Sequence, residues 1–490
     1  VSVNKSPPTR YAYGENGDLS RIERPTSGTV RLTWNDRHQV TCRSWADGSR
    51  EYYTYDEKNL TTRHIDASGN ITAIRRTPDG RREEITDPAG GRTVVTYGQN
   101  GRPEMVAGPA GCRSHFRYDA AGRLIEMTGC TGTTTFTYVE GSARYRRIRD
   151  AGGRQWDFTY DARGNLRTLQ RDGSIVITRS YYPNGLLKSS AGQGHPEMTY
   201  TYDLAGNVRT ASDPMGSTTE YTYDQRGNRI SKIDPNGMAT TWEYDAQNRV
   251  VRMTDPAGAD TGYGYDAGGR LVEVAAPGDR ITRYAYDSRG RLSAVTDPAG
   301  GVTRYRYDPS GRLAAETDVA GEVYRYHYDA LGRRAAETDP LGGKSAFRYD
   351  SFGRLIEETH PGGRTWHYTY SDAGLLLKAE DGQGFFLQHT YDRRGRRTAA
   401  VDAAGGKTRY RYDDQDRVIQ ISFPGGGTWA YEYDTHGRLA REKDNRGTDT
   451  RYAYDLAGRL TEERRSGGLR IRYRYDALGR LTGWEDSLGG

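Results

Sequence analysis

The chain has 490 residues, 34% hydrophobic and 28% charged, and its 71 basic against 65 acidic residues leave a formal net charge of +6. That small excess excludes a protein built around one basic nucleic-acid patch, and no run of 18 apolar residues is present to form a membrane-spanning helix. Leu, Val and Ile are too sparse for several conventional cores, yet 38 Tyr at fixed phase offer a half-apolar surface to bury, which argues against disorder.

One 21-residue unit recurs from Tyr13 to Tyr475, giving 23 copies. A fixed period of this length marks a repeat architecture, so a single continuous array over 1–490 replaces the three domains that length alone suggests. The anchor is Tyr in 20 of 23 units; Trp34, Arg76 and Val139 are the exceptions. Asp follows the anchor in 16 units, Gly stands four residues after it in 18, and Arg five after it in 15. A pattern repeated along the whole chain is a building element before it is a site.

In chain order, residues 1–3 are neither an initiator Met nor a signal peptide. Where the turn lacks Gly, its place is taken by His38, Asn59, Asn248 and Asp416, residue types that tolerate a left-handed backbone. Ala143 does not, and its unit also has Val139 at the anchor, so a local irregularity is expected there. Cys112 and Cys130 fall in consecutive inter-unit turns. Those turns read as two strand spacings apart, about 10 Å, beyond disulfide reach, so free thiols are expected. Over 130–200, Tyr138, Ala143, Tyr181, Pro183 and His195 depart from the pattern, which reads as a bend or seam.

The unit Ile281–Gly301 shows the elements most plainly. Thr282, Tyr284 and Tyr286 alternate with Arg283 and Ala285, the period of a strand. Asp287 to Gly290 then form a type I turn closed by a left-handed glycine, the G1-bulged hairpin. A second strand runs from Arg291 to Val295, and Asp297–Gly301 make the next tight turn. The register places Tyr286 opposite Leu292 and Tyr307 opposite Leu313. One face then carries a Tyr/Leu ladder and the other the Asp287–Arg291 pair, Thr and Glu. The structural residues so identified are Tyr118, Gly122, Tyr223, Gly227, Tyr286, Asp287, Gly290, Arg291, Tyr307, Gly311, Tyr475 and Gly479. About 46 strands at roughly 4.8 Å each make a ribbon some 220 Å long, which must coil because open twisted sheets rarely exceed about 10 strands. The array breaks off inside a repeat at 487–490, so a fragment of a longer protein is expected.

The segments Tyr118–Leu124, Tyr286–Leu292 and Tyr475–Leu481, each reading YDxxGRL, resemble the YD repeat of the Rhs family over residues 10–490, and Asp297–Gly301 and Asp339–Gly343 are similar to its linking turns. The resemblance implies an all-β fold, a long antiparallel β-hairpin repeat ribbon coiled into a hollow shell, the YD-repeat β-cocoon of Tc toxins. It implies a non-enzymatic shell segment that encapsulates a C-terminal toxic effector domain of the same polypeptide, outside this chain, as in polymorphic toxins and type VI secretion effectors of interbacterial competition. A secreted or cell-surface location and a secretion-spike or surface partner follow from it. The family's self-cleavage motif and a spike-like N-terminal domain are not found in this chain. The Cys-rich modules of the similar teneurins are not found either, which favours the bacterial branch.

Catalytic, cofactor and metal residues are not expected. The adjacent carboxylates Glu357 and Glu358, and Glu462 and Glu463, point to opposite faces of their strands. The nine His are scattered without a zinc-site spacing. The Asp-x-x-Gly element that resembles a nucleotide-binding loop is the turn of nearly every unit, so no specific nucleic acid or nucleotide is expected. The alternative reading is a carbohydrate-binding adhesin that stacks glycans on the Tyr/Arg ladder.

Overall fold

The computed structural model describes residues 8–487; residues 1–3 and 488–490, on which the reading of cut ends partly rests, lie outside them. The regular elements described are 46 strands in one sheet, from β1 (Arg10–Tyr13) to β46 (Leu481–Asp486). Strands pair antiparallel with their neighbours in sequence, as β27 (Arg280–Tyr286), β28 (Leu292–Thr296), β29 (Val302–Tyr307) and β30 (Leu313–Thr317) do.

The period of 21 has a simple origin. A strand of six residues, Val302–Tyr307, is followed by the turn from Asp308 to Arg312 and a strand of five, Leu313–Thr317. The turn from Asp318 to Glu322 then leads to the next unit. In both turns Asp opens and a left-handed glycine closes: Gly311 has φ 90° and Gly321 φ 85°. The opening carboxylate accepts backbone N–H groups, those of Ala320 and Glu322 each lying 2.9 Å from Asp318. Asp thus supplies the side-chain cap, and Gly the conformation, that a tight turn needs. The glycine substitutes follow the same rule: φ is 58° at His38, 66° at Asn59, 61° at Asn248 and 64° at Asp416.

The register pairs Tyr286 with Leu292 and Tyr307 with Leu313. It also holds a second bulge that the alternation did not disclose. Ala285 pairs with Ala294, so Ser293 is left over. That extra residue reverses the parity of the second strand. Glutamates at this position of the second strand therefore join the Tyr face: Glu316 stands opposite Tyr305, Glu337 opposite Tyr326 and Glu463 opposite Tyr452. The face with the tyrosines is half-buried and the other is exposed. Only Val30, Ala379 and Ala399 are buried hydrophobic residues among those described, so stability comes from many small ladder terms rather than from one core.

Two further expectations change. Cys112 and Cys130 are disulfide-bonded, and Cys42 is the free cysteine. Cys112 directly precedes β11 (Arg113–Tyr118), and Cys130 directly follows β12 (Leu124–Gly129). These are the two arms of one hairpin, bridged by Arg117 and Glu126 at 3.3 Å. One strand spacing separates them, not two, and about 5 Å is within disulfide reach. At the irregular unit, Gly141 rather than Ala143 takes the left-handed conformation, with φ 63°. Tyr138 pairs with Tyr145, and the loop is one residue longer, closing from Val139 N–H to the Arg144 carbonyl. Tyr138, not Val139, is the anchor of this unit.

The chain folds into two compact units. One takes the described residues up to His115, Glu243–Thr254 and Gly258–Tyr368; the other takes Phe116–Trp242, Asp255–Ala257 and the described residues from Thr369. Inside each unit, two stretches of chain about 240 residues apart meet at their turns.

Candidate functional site

The chemistry of this chain is concentrated in the repeated Tyr, Asp and Arg. Each anchor Tyr ends its strand beside the first residue of the previous hairpin's second strand. The ladder between β28 and β29 is recorded from Ala294–Arg304 to Thr296–Val302, so the Leu292 carbonyl lies beyond its last rung. The Tyr307 hydroxyl donates to it at 2.8 Å. Tyr223 donates likewise to Val208 at 2.9 Å, Tyr286 to Leu271 at 2.7 Å and Tyr475 to Leu460 at 2.8 Å. The exceptional anchors do the same work. Trp34 Nε1 donates to the Leu19 carbonyl at 2.7 Å and Arg76 Nη1 to that of Thr61 at 2.8 Å. Displaced Tyr138 reaches Leu124 at 2.7 Å. The anchor is selected as a long side chain with a terminal donor, because an unpaired carbonyl at a strand end is costly.

Arg291 ties three elements together. Its Nε donates to Asp287 Oδ2 at 2.7 Å, its guanidinium lies 4.7 Å from the Tyr307 ring centre, and Nη1 reaches the Asp308 carbonyl at 3.5 Å. The arrangement recurs at Arg312, Arg333, Arg438 and Arg459. Burial pushes the Asp287 pKa up, but the Arg291 backbone N–H and then its guanidinium outweigh that and hold it below 3.8. Tyr452 is raised by burial first and then by its bond to Glu442 at 2.8 Å. For Tyr53, burial and then the Glu51 carboxylate push the value up to about 12. Tyr118 ends β11, and Gly122, Gly227, Gly290 and Gly479 have φ of 77°, 83°, 80° and 79°.

The seams inside each unit escaped the sequence reading. In the first unit, Arg289 stacks 4.5 Å over Trp45 and donates from Nη1 to Asp47 at 3.3 Å and Ser49 at 3.1 Å. Ser68 and Ser310 hydroxyls lie 2.7 Å apart, and Arg270 donates to the Thr26 carbonyl. In the second unit, Arg154 pairs with Asp416 at 2.9 Å, Gln415 donates to Ser174 at 2.7 Å, and Gly194 N–H donates to His436 at 2.7 Å. Several of these residues lie in 130–200, where departures from the pattern pointed to a bend or seam. Arg289, Ser310, Gln415 and His436 all stand three residues after an anchor, the position the consensus leaves open. That openness was the available signal.

A crevice of about 640 Å³ lies beside the first unit's seam, lined by Asp47, Tyr52, Asp66, Arg291 and Tyr307 among others. No group of three or more His, Cys, Asp or Glu suited to a metal is found among the described residues. The paired carboxylates have separate partners: Glu357 meets Arg348 at 3.0 Å, while Glu358 meets Tyr368 at 3.1 Å. The repeated Tyr, Asp and Arg tie each hairpin to its neighbours along the sheet.

The sequence matches the teneurin YD-shell family over residues 81–172, 187–364 and 342–489. No curated protein matches it. Among solved structures, the crystal structure of TcdB2-TccC3-TEV is similar in fold at 14% identity, with a TM-score of 0.72, over 96% of this chain and 36% of the matched chain. A Photorhabdus luminescens Tc holotoxin pore carrying a TccC3 mutation is similar at 14% identity and TM-score 0.53, over 98% and 32%. The crystal structure of TcdB2-TccC3 without its hypervariable C-terminal region is similar at 13% identity and TM-score 0.50, over 97% and 34%. The chain spans about a third of each matched chain.

Proposed function

Since this chain belongs to the teneurin YD-shell family, we propose that it is a non-enzymatic wall segment of a secreted or cell-surface Rhs-type toxin, enclosing a C-terminal effector domain of the same polypeptide. The observation that carries the reading is the pair of seams. A ribbon that meets its own edge after about 242 residues can close a wall without a second chain. The fold likeness to TcdB2-TccC3-TEV supports the same reading. A half-polar Tyr and Glu face, if it lines the interior, would hold an incompletely folded cargo without fixing one conformation.

The test is electron microscopy of the whole gene product, joined to limited proteolysis. A hollow particle whose effector domain resists protease until the wall is opened supports enclosure. A solid particle, or an effector cleaved at the rate of the free domain, ends it. Carbohydrate binding remains a second reading because Tyr52 and Tyr307 share a crevice with Asp47, Asp66 and Arg291, an aromatic and polar lining suited to sugar rings. Saturable glycan binding lost on Tyr52→Ala would favour it.

A further inference from the structure

In parts of the array, arginines on the exposed face of the sheet are answered by carboxylates of the same face. Arg252 meets Glu243 at 3.4 Å, Arg441 meets Glu432 at 3.3 Å and Arg117 meets Glu126 at 3.3 Å. Arg472 lies 3.5 Å from Glu462 and 3.7 Å from Glu485. Elsewhere they are not: Arg409 stands between Ala399 and Ser422 and Arg411 opposite Gln420, and a longer such stretch lies in the first unit. It runs from β27 through β31 (Val323–Tyr328) and β32 (Arg334–Thr338) to β33 (Lys344–Tyr349).

The register gives the composition of that face. Arg304 stands between Ala294 and Thr317, Arg306 opposite Ala315, and Arg325 between Ala315 and Thr338. His327 stands opposite Ala336 and Lys344 opposite Thr338. Among the described residues, these registers place no Asp or Glu on this face from β27 to β33. Carboxylates return only at its borders, where Arg283 meets Glu273 at 3.2 Å and Arg348 meets Glu357 at 3.0 Å. The acids of the intervening strands, Glu316 and Glu337, lie on the opposite face against Tyr305 and Tyr326. Arg304, Arg306 and Arg325 are exposed, and their neighbours are too small to cover them.

We propose that this face is a docking surface for an acidic, extended polypeptide segment. The charge complementarity is specific in geometry. Arg304 and Arg306 are two residues apart on one strand, about 7 Å, which is also the spacing of alternate side chains along an extended peptide. Arg325 lies two strands away, about 10 Å, in reach of a second carboxylate row. Each guanidinium can fork onto a carboxylate with two parallel hydrogen bonds. The Ala and Thr floor lets a strand-like segment lie flat. His327 is the one aromatic side chain these registers place among the arginines, too few for a run of stacked bases, so nucleic acid is the poorer occupant. The inference is independent of whether the chain encloses a cargo.

The experiment uses the full chain and a fluorescent peptide of alternating Glu and Ser, read by anisotropy at several salt concentrations. The native chain binds it, more weakly as salt rises. The triple variant R304S/R306S/R325S, shown to be folded by circular dichroism, binds at least about tenfold more weakly. The variant R472S/R474S, whose arginines already face carboxylates, binds as the native chain does. The proposal is overturned if the triple variant binds like the native chain, or if both variants weaken equally. It is overturned too if an oligothymidylate of equal charge binds more tightly through the same three arginines.

Discussion

At the scale of the residue, the repeat's signature tyrosine is defined by its hydroxyl as much as by its ring. Arg76 has no ring and Trp34 no hydroxyl, yet both deliver a donor to the carbonyl fifteen residues back. Tyr307→Phe should keep the stack with Arg291 and lose the bond to Leu292. The expected loss is about 1 kcal/mol, measured as a shift in the denaturation midpoint; Tyr307→Leu, which removes the stack as well, should cost more. An unchanged Tyr307→Phe midpoint would refute the capping role. Titration follows from the same residues. Tyr53, Tyr433 and Tyr454 are raised above 10.0, first by burial. A raised tyrosine stabilises the fold below its unfolded value, and that contribution is lost as pH rises through the folded value. Alkaline unfolding should therefore begin above pH 10, with part of the tyrosinate absorbance appearing only as the sheet melts. Complete, smooth titration in a still-folded chain would contradict it.

The hairpin is the scale at which the sequence was most and least informative. Asp-x-x-Gly and the alternation before it contain the turn type and the Tyr286–Leu292 register, because both are set by backbone rules local to a few residues. The second bulge is not local. Ser293 looks like any strand residue, and only the pairing of Ala285 with Ala294 reveals that it is left over, which is why Glu at the corresponding strand position, as at Glu316, lies with the tyrosines and not with the Asp–Arg pair. The cysteines were misjudged by counting turns instead of asking which strand each one adjoins. At the Val139 unit, the compensating shift keeps the period at 21 and so hides the longer loop. Two predictions belong here. Gly141→Ala should destabilise by about 1 kcal/mol because the left-handed site lies there, whereas Ala143→Gly should bring no gain; the reverse order in thermal denaturation would restore the simpler alignment. The turn aspartates give an acid limit. Asp287, Asp413 and Asp434 are held below 3.8 despite burial, by the backbone N–H and guanidinium of the following Arg. Their contribution is complete above about pH 4 and is lost as pH falls through the lowered values. Amide exchange, corrected for its intrinsic pH dependence, should thus accelerate first in these turns; uniform acceleration along the strands would point elsewhere.

At the scale of the whole molecule, the one-dimensional array also makes contacts between distant repeats. Nearest-neighbour pairing alone gives a ribbon whose stability is a sum of local terms. The seams add contacts between residues some 240 apart, and in both units they bring a YD turn of the later stretch against an inter-unit turn of the earlier one. That match follows from the spacing: about 242 residues is close to eleven and a half periods, so opposite edges of the ribbon meet. The seams need small residues. A Cβ on Gly28 would lie 2.5 Å from the Ser288 carbonyl oxygen, and one on Gly268 would overlap the Thr26 side chain. Gly268→Val should therefore part the first unit's seam while leaving each hairpin intact, since Gly268 is not itself left-handed. Hydrogen exchange should rise in the turns around Thr26 and Ser288, and the ladder amides of β27 to β30 should stay protected. If protection fell throughout the unit, the seam would be part of the sheet's own stability. If it did not change at all, the two stretches would not be held by these contacts.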